Sequence, residues 1–352
     1  MDSLMRPDTL DGPRIESYWV ERLDRADQRI SLITTVKSGS VEQNWDAAIK
    51  GGASITLHQP DIDVMKDRIR PWVRVNDLAW PLGVYLPSSP SESYDDDGLT
   101  WTFECLDKLS ILDDDKITTS WGYDTGTVVT EAVLEVILGS GETSVALTES
   151  EGTLRTPLSW KAGTSKLAIV NELLGAIGFS PVWVDGFGQY RVEPYIQADK
   201  RPVHRVFAQG EYAIHRQRWT RERKISHIPN RVICRTDGTD EIDGLEAVAQ
   251  NTDPDSEFSY EARGYRWVTQ VYDEDESVDQ ATLEELAQRR LWGWTHPPSH
   301  YRVSHAVVPY DLQDVVRFVS DGHDVLAQVN EYQVPLEVGG QMSALWYGLG
   351  GA

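Results

Sequence analysis

Cysteine is scarce in this chain of 352 residues, which has only Cys105 and Cys234. Disulfide frameworks and cysteine-based zinc sites both need several cysteines at short, regular spacings. These two are far apart in the sequence and support neither kind of site. We therefore expect two reduced thiols packed inside the protein.

Long apolar runs are also missing. The segment Met1–Asp8 has no apolar stretch of signal-peptide length. No later run approaches the roughly 18 apolar residues that a membrane-spanning helix requires. We expect no membrane anchor, and a protein that folds in the cytoplasm where it is synthesised.

Basic residues are few compared with acidic ones: 33 Lys and Arg stand against 56 Asp and Glu, which gives a formal net charge of −23. Proteins bind nucleic-acid backbones with Lys and Arg that displace counterions from the phosphates. Anionic membranes attract the same cationic side chains. The charge balance therefore argues against a protein that grips DNA or RNA and against docking on an anionic membrane.

The signatures of common catalytic sites are absent as well. The sequence contains no G-x-S-x-G elbow, no P-loop, no G-x-G-x-x-G after a strand and no H-E-x-x-H. A glycan hydrolase needs a pair of carboxylates, but nothing singles out one pair among 56 acidic residues. We expect a chain that is not an enzyme, with no catalytic residues and no cofactor.

One acidic segment partly matches a calcium-binding loop. Asp95, Asp97, Gly98 and Glu104 occupy the third, fifth, sixth and twelfth positions of an EF-hand loop, but the first position is Ser93. An EF-hand also needs a helix on each side, whereas prolines precede this segment and a strand pattern follows it. The pattern favours an acidic hairpin turn, and ion binding by Asp95, Asp97 and Glu104 is left open.

Three histidines have a spacing that resembles a set of zinc ligands. They are His296, His300 and His305. Pro297 and Pro298 exclude a helix that would bring the first two together. On a strand, His300 and His305 would face opposite sides, so we expect no metal site here.

The first third of the chain has the pattern of a β domain. After an N-terminal arm of residues 1–14, a polar break separates two strand patterns in a hairpin-like arrangement. Period-two alternation from Leu99 to Cys105 predicts one buried face. We expect a first β-barrel-like domain over residues 15–115, with strands at Glu16–Leu23, Arg29–Thr34, Ala53–Leu57, Trp72–Val75, Leu82–Leu86 and Leu99–Leu106.

Helical patterns follow in residues 116–200. Thr127–Leu138 is apolar enough for a helix, and a second helix is predicted after Gly163, with Thr164 or Ser165 as its N-cap and Gly178 at its end. A short hairpin with a turn at residues 186–188 comes next. We expect a small inserted α+β domain.

The remainder, residues 201–352, returns to strand patterns. One helix is predicted over residues 277–295, with Leu283, Leu286, Ala287 and Leu291 as its apolar stripe. Thr236–Ser256 is polar and acidic and is predicted to be a loop. Strands are predicted at Arg231–Arg235, His300–Val308, Val315–Val319, Val325–Pro335 and Gln341–Gly348.

These patterns together predict an α+β protein that is predominantly β. We expect two β-barrel-like domains with the small α+β domain inserted between them. A short apolar strand with one Arg occurs in each β domain, at Pro71–Asp77 and Asp314–Asp321. Chance explains such a similarity as readily as true repetition does.

One strongly basic segment interrupts the acidic chain, with the residues Arg216, Arg218, Trp219, Arg221, Arg223 and Lys224. A contact with an acidic neighbouring subunit is the interpretation we favour, because complementary charges steer association. A solvated strand face is the plain alternative, and nucleic-acid binding is a third.

Tryptophan is abundant, with 13 residues. Flat aromatic side chains could form a surface that binds a cell-wall glycan, and this makes a carbohydrate-binding protein the main alternative function. Most of the tryptophans, however, lie within alternating apolar patterns, where a core or interface position is expected.

Three stretches resemble the minor tail or baseplate-hub proteins of long-tailed bacteriophages, especially those of actinobacterial phages. The first is Leu167–Asp185 with Gly188–Tyr195; the second is Trp219–Arg223 leading into Ile228–Ile233. The third is Glu276–Ala281 with Leu286–Leu291, followed by the Asp314–Arg317 strand. With the opening hairpin and the Gly51–Leu57 strand, the resemblance covers most of residues 15–350, and its specificity lies in the order and spacing of the segments.

The resemblance implies a structural hub at the virion tail tip. It implies a homotrimer that joins the sixfold tail tube, or a distal tail protein, to other tip proteins, with a tape-measure protein as a further partner. DNA would pass through this hub without specific binding. Some hubs carry an added peptidase or lysozyme domain; this sequence ends shortly after Tyr347–Gly350 with no room for one, so we expect none. It implies no catalytic residues.

Overall fold

The computed structural model describes residues 10, 12–58, 62–96, 98–223, 227–236, 244–274, 280–295 and 299–349. Strand is far more abundant than helix in these ranges, which confirms the predicted α+β class with a predominance of β. None of the helices in these ranges is long and apolar enough to span a bilayer.

Eight strands form before residue 108. The predicted strand at Leu82–Leu86 starts only at Tyr85, and the polar strand Val36–Asn44 was not predicted. Strand Val36–Asn44 forms because the strands on both sides of it supply backbone hydrogen bonds. The strands are β1 (Glu16–Leu23), β2 (Arg29–Ile33), β3 (Val36–Asn44), β4 (Gly51–His58), β5 (Arg68–Val75), β6 (Leu78–Pro81), β7 (Tyr85–Asp95) and β8 (Gly98–Asp107).

The predicted buried face of β8 is only half correct. Phe103 and Cys105 are buried, but Leu99 is exposed and Trp101 is half-buried. The β7–β8 hairpin runs from the Tyr85–Asp107 pair to the Asp95–Gly98 pair, and Leu99 lies next to its turn. Both cysteines are free and buried, as expected, and burial raises the pKa of the Cys105 thiol to about 12.

Three helices and five short strands follow. The predicted cap is confirmed, because the Ser165 side chain accepts a hydrogen bond from Ala168 N at 3.3 Å, and Gly178 has a positive φ just after the helix. The predicted hairpin at residues 182–193 is also confirmed. The elements are α1 (Leu109–Asp114), α2 (Val129–Leu138), α3 (Lys166–Ala176), β9 (Trp121–Tyr123), β10 (Val145–Leu147), β11 (Leu158–Trp160), β12 (Trp183–Val184) and β13 (Tyr190–Val192).

The last part of the chain has nine strands and one helix in the described ranges. A strand at Glu246–Gln250 lies inside the segment predicted to be a loop. Its side chains are alternately exposed and buried, and it pairs antiparallel with the preceding strand. The elements are β14 (Val203–Ala208), β15 (His215–Glu222), β16 (Arg231–Thr236), β17 (Glu246–Gln250), β18 (Thr269–Glu274), α4 (Gln280–Thr295), β19 (His300–Ala306), β20 (Val315–Ser320), β21 (His323–Pro335) and β22 (Gln341–Leu349).

The strands do not form two separate barrels, so that prediction is wrong. Strand β21 pairs with β3, with Val334 opposite Val41, and this pairing joins strands from both ends of the chain into one sheet of 14 strands. Eleven of its strands follow the order β15-β19-β22-β21-β3-β4-β8-β7-β5-β1-β2, and three lie off this path, where β6 pairs with β5, β20 with β21, and β14 with β20. The two end strands of the path do not pair with each other among the described residues. The sheet is therefore open there.

The chain divides into two compact units. Unit one comprises Met1–Trp219 with Arg302–Trp346, and unit two comprises Thr220–Tyr301 with Tyr347–Ala352. The predicted division into 1–14, 15–115, 116–200 and 201–352 stays a prediction. In unit two, α4 packs its predicted stripe of Leu283, Ala287 and Leu291 onto β16 and β17.

A buried charge cluster lies within unit one and consists of Asp27, Arg68, Lys108 and Glu142. Lys108 Nζ lies 2.6 Å from Asp27 Oδ2 and 2.7 Å from Glu142 Oε2. Arg68 also contacts both carboxylates, and the Lys108 side chain is fully buried. Two positive and two negative groups thus balance each other away from water.

The same cluster connects five segments of the chain. Its four members come from the β1–β2 turn, β5, the residue after β8 and the loop after α2. The β12–β13 turn is the fifth segment. Lys108 Nζ also donates to the Gly188 carbonyl at 2.9 Å, which fixes the β12–β13 turn. Tyr190 donates its hydroxyl to the Lys108 carbonyl at 2.6 Å. This network places the turn that carries Phe187.

A second buried group lies in the large sheet of unit one. His305 is fully buried, its Nδ1 lies 2.8 Å from the Ala306 carbonyl, and its Nε2 lies 2.8 Å from the Tyr310 hydroxyl. Nδ1 must donate to the carbonyl, and because burial keeps the ring neutral at pH 7, Nε2 accepts from Tyr310. Burial, which outweighs the opposing effect of the hydrogen bond to Ala306, lowers the pKa of His305 from 6.5 to about 4, with smaller contributions from Arg205, His215 and Arg14.

The first prediction concerns the buried charge cluster. Glu142→Gln removes one negative charge and leaves Lys108 and Arg68 incompletely paired, so we expect a loss of about 3–5 kcal/mol in the free energy of unfolding. Urea denaturation followed by circular dichroism measures this. Asp324→Asn, which breaks the exposed pair with Arg317, is the control and should change little. Equal effects of the two variants would contradict the role given to the cluster.

The second prediction concerns His305 and pH. The unfolded chain binds a proton at His305 as the pH falls below 6.5, whereas the folded chain does so only near pH 4. Stability is therefore lost across this window on acidification. We expect wild type to lose about 2 kcal/mol more than His305→Gln between pH 7 and pH 5. Parallel pH profiles for the two proteins would show that His305 is protonated in the folded state.

Candidate assembly surfaces

Two tryptophans stack on one face of the β1–β5 pair. Trp19 and Trp72 lie directly opposite each other, and their rings are parallel with centroids 5.5 Å apart. The Arg74 guanidinium lies over Trp19 at 5.4 Å, and the Arg70 guanidinium lies over Trp72 at 5.5 Å. We call these four residues the tryptophan–arginine ladder. Cation–π contacts at both ends favour this stacked arrangement.

Glu21 fixes one end of the ladder. Its Oε2 accepts from Arg70 Nη2 at 2.8 Å and from Trp72 Nε1 at 2.8 Å. The Glu21 side chain is only 8% exposed, so these charge-assisted bonds are largely shielded from water. Both residues of β5 are therefore held in one orientation before any partner arrives.

Apolar side chains extend the face of the ladder. Phe187, on the turn fixed by Lys108, packs edge-on against Trp72 with centroids 6.3 Å apart and remains exposed. Leu32 lies opposite Glu21 on β2 and is exposed, as is Ile30. Aromatic residues and arginine on an apolar patch are the composition typical of the centre of a protein interface.

The sequence did not identify this surface. Trp72 was assigned to a core or interface by its alternating pattern, and the structure places it half-buried. Trp19 and Trp72 are separated by 52 intervening residues, so their stacking depends on the register of two strands. The sequence offered one signal: Trp19 and Glu21 are two residues apart, which places both side chains on the same face of β1.

The predicted basic segment lies mainly on β15, an end strand of the large sheet. Arg216 and Arg218 are exposed, and Arg216 Nε donates to Gln341. Trp219 packs edge-on against Phe318, with centroids 5.5 Å apart, and against His323. Trp219 thus anchors the strand, while the two arginines face solvent.

The other basic residues of the segment are engaged in unit two. Arg221 Nε donates to Ser299 Oγ at 3.0 Å. Arg223 pairs with Glu257, with Nη1 and Oε2 at 3.2 Å, and lies over Phe258. Lys224 lies outside the described residues. The basic segment is therefore divided: Arg216 and Arg218 face solvent, whereas Arg221 and Arg223 make contacts within unit two. Its role as a contact between subunits stays a prediction.

The residues weighed as metal ligands do not meet. His300 stacks on Tyr347 with centroids 4.3 Å apart, whereas His305 is buried on the opposite face of β19. Asp95 pairs with Gly98 across the predicted hairpin turn, which is confirmed, and Glu104 accepts from Ser54. His296 and Asp97 lie outside the described residues. The described ranges contain no group of three or more metal-ligating side chains.

Two neighbouring carboxylates, Asp311 and Asp314, offer a candidate acid–base feature. Burial, together with the nearby Asp314 carboxylate, raises the pKa of Asp311 to about 7. Asp311 lines a cavity of about 30 Å³. A space of this size holds about one water molecule and cannot hold a sugar ring. This carboxylate pair therefore does not form the cleft that a glycan hydrolase needs.

Solved structures of known proteins share this fold. No family model matches the sequence, and no curated protein matches it. A tail protein from Neisseria meningitidis MC58 aligns with a TM-score of 0.67 and 12% identity, covering 95% of this chain and 97% of that one. The 43 kDa tail protein of prophage MuSo2 from Shewanella oneidensis gives 0.66 and 12%, covering 94% and 98%.

A third structure agrees with these two. Prophage tail protein gp18 from Listeria monocytogenes EGD-e aligns with a TM-score of 0.56 and 12% identity, covering 94% of each chain. At this level of identity the likeness is one of fold. The chain thus has the fold of phage-type tail proteins along nearly its whole length.

Proposed function

We propose that this chain is a structural component of a bacteriophage tail. We place it at the tail tip as a baseplate hub, a homotrimer around the DNA passage that joins the sixfold tail tube to distal tip proteins. It would be made in the host cytoplasm and would act as a scaffold and not as an enzyme.

One observation carries the proposal: the fold likeness to a tail protein spans 95% of this chain and 97% of that protein. A likeness confined to one domain would leave the function open, because single folds serve many functions. Here the likeness extends along nearly the whole length of both proteins. The order of segments that resembles hub proteins in the sequence supports the same conclusion and is the basis for the trimer and for the actinobacterial-phage type.

The surfaces of unit one suit contacts within an assembly. The tryptophan–arginine ladder with Phe187 offers an ordered aromatic patch, and Arg216 and Arg218 offer exposed positive charge on a sheet-end strand. The chain itself is strongly acidic, so a second copy or a tail-tube subunit of similar charge would attract this basic strand. Distal tail and tape-measure proteins are further partners of the same kind.

The net charge of −23 also suits a passage for DNA. A channel lined with Lys and Arg would bind phosphates and slow the passage of the genome. An acidic protein avoids this, so the DNA would move through the hub without specific binding.

The third prediction tests the assembly role of β15. The double variant Arg216→Glu/Arg218→Glu should prevent incorporation of the chain into tails, because it replaces attraction to an acidic neighbour by repulsion. The fold of the isolated chain should be nearly unchanged, since exposed charges contribute little to stability. Complementation of a phage that lacks the gene, with plaque counts and electron microscopy of particles, measures the effect.

A matched control changes the net charge by the same amount elsewhere. Arg25 and Arg289 are also exposed and lie outside both surfaces, so Arg25→Glu/Arg289→Glu should support normal assembly. Thermal unfolding of both purified variants checks that each is folded. Normal particles from the Arg216→Glu/Arg218→Glu variant would rule out an interface role for β15.

A further inference from the structure

Unit two contains an open groove of about 710 Å³, which the tail function does not require. This volume lies within the range of sites that bind small molecules, about 300–1,000 Å³. One wall is the face of α4 that carries Gln288, Trp292 and Thr295, spaced four and three residues apart on one side of the helix. The loop after β17 forms the facing wall.

Trp292 gives the groove a flat apolar surface. Among the 13 tryptophans, all within the described residues, only Trp292 and Trp294 are exposed, at 65% and 39%. Trp292 lines the groove, whereas Trp294 does not and donates its Nε1 proton to the Tyr272 hydroxyl. An exposed indole inside a polar groove can stack on the C–H face of a sugar ring.

The facing wall is polar and held in shape by its own hydrogen bonds. Asn251 Oδ1 accepts from Asp253 N at 3.2 Å, and Asn251 Nδ2 donates to Ser256 Oγ at 2.8 Å. Asp253 Oδ1 accepts from Asp255 N at 3.0 Å. These bonds order the loop before a ligand binds, which lowers the entropy cost of binding. Carboxylate and amide groups then face the indole across the groove.

The net charge of the groove limits which ligands can bind there. Arg223 is paired with Glu257, and Asp253 and Asp255 add two further negative charges, so the described lining is net negative. Phosphate or carboxylate groups on a ligand would be repelled. Neutral hydroxyl groups, by contrast, can donate hydrogen bonds to these carboxylates.

We propose that this groove binds a neutral oligosaccharide, with Trp292 stacking on a sugar ring, the Asp253 carboxylate accepting hydrogen bonds from its hydroxyl groups, and the Gln288 amide donating or accepting at the rim. A large polar groove, one exposed aromatic platform and a preordered acceptor wall together fit this ligand class. The proposal goes beyond the tail role and does not depend on it, since such a site would serve any protein that meets a cell-wall glycan.

The fourth prediction uses the full-length chain on an array of neutral hexose and N-acetylhexosamine oligosaccharides and of acidic glycans. We expect binding to neutral members only. Calorimetry with the tightest-binding oligosaccharide then compares Trp292→Ala with Trp294→Ala, which changes the other exposed tryptophan of the same helix, outside the groove. Trp292→Ala should weaken binding about tenfold or more, and Trp294→Ala should have less than about a twofold effect.

Gln288→Ala provides a second variant that leaves both tryptophans in place, and it should also weaken binding. Circular dichroism confirms that α4 is retained in each variant. Absence of binding to every neutral glycan, preference for acidic glycans, or equal effects of the two tryptophan variants would each overturn the proposal. Saturable binding of extended peptides in place of any glycan would overturn it as well.

Discussion

Two acidic and two basic side chains meet in the interior of unit one, and the arrangement of its neighbouring segments depends on that meeting. Asp27, Arg68, Lys108 and Glu142 leave water together, and each group would be costly to bury alone. A buried ion network of this kind adds little net stability compared with an apolar core of the same shape. Its consequence is geometric, because the four segments that carry these charges must meet for the charges to be buried together.

That arrangement reaches the protein surface. Lys108 holds the Gly188 carbonyl, the Gly188 turn carries Phe187, and Phe187 packs on Trp72. The β1–β2 turn is held through Asp27, and β2 carries the exposed Ile30 and Leu32. The buried charge cluster and the tryptophan–arginine ladder are thus parts of one structure. A surface ordered in advance loses little entropy on association.

Much of the local structure followed from sequence patterns. Ser165 and Gly178 marked α3, and the stripe of Leu283, Ala287 and Leu291 marked α4, because these signals lie within one element. Strand β3 was missed because it is polar, and β17 was missed because a short alternation was hidden in an acidic segment. Pattern alone does not locate a strand whose hydrogen bonds come from distant neighbours.

The long-range features were beyond a single sequence. Two separate barrels were predicted because the strand patterns fall into two groups, but the pairing of β21 with β3 joins them. The partners within the buried charge cluster are separated by up to 81 positions, and no local rule pairs them. The basic segment was found by composition, yet its division into solvent-facing arginines and arginines engaged in unit two depends on three-dimensional contacts.

We propose that this chain is a hub at the tip of a phage tail. A cryo-electron microscopy reconstruction of the purified particle, at a resolution that allows this fold to be placed in the density, shows whether it is. We expect three copies around the central passage at the distal end of the tail tube. A ring of six copies, a position away from the tip, or absence of the chain from the particle would contradict it.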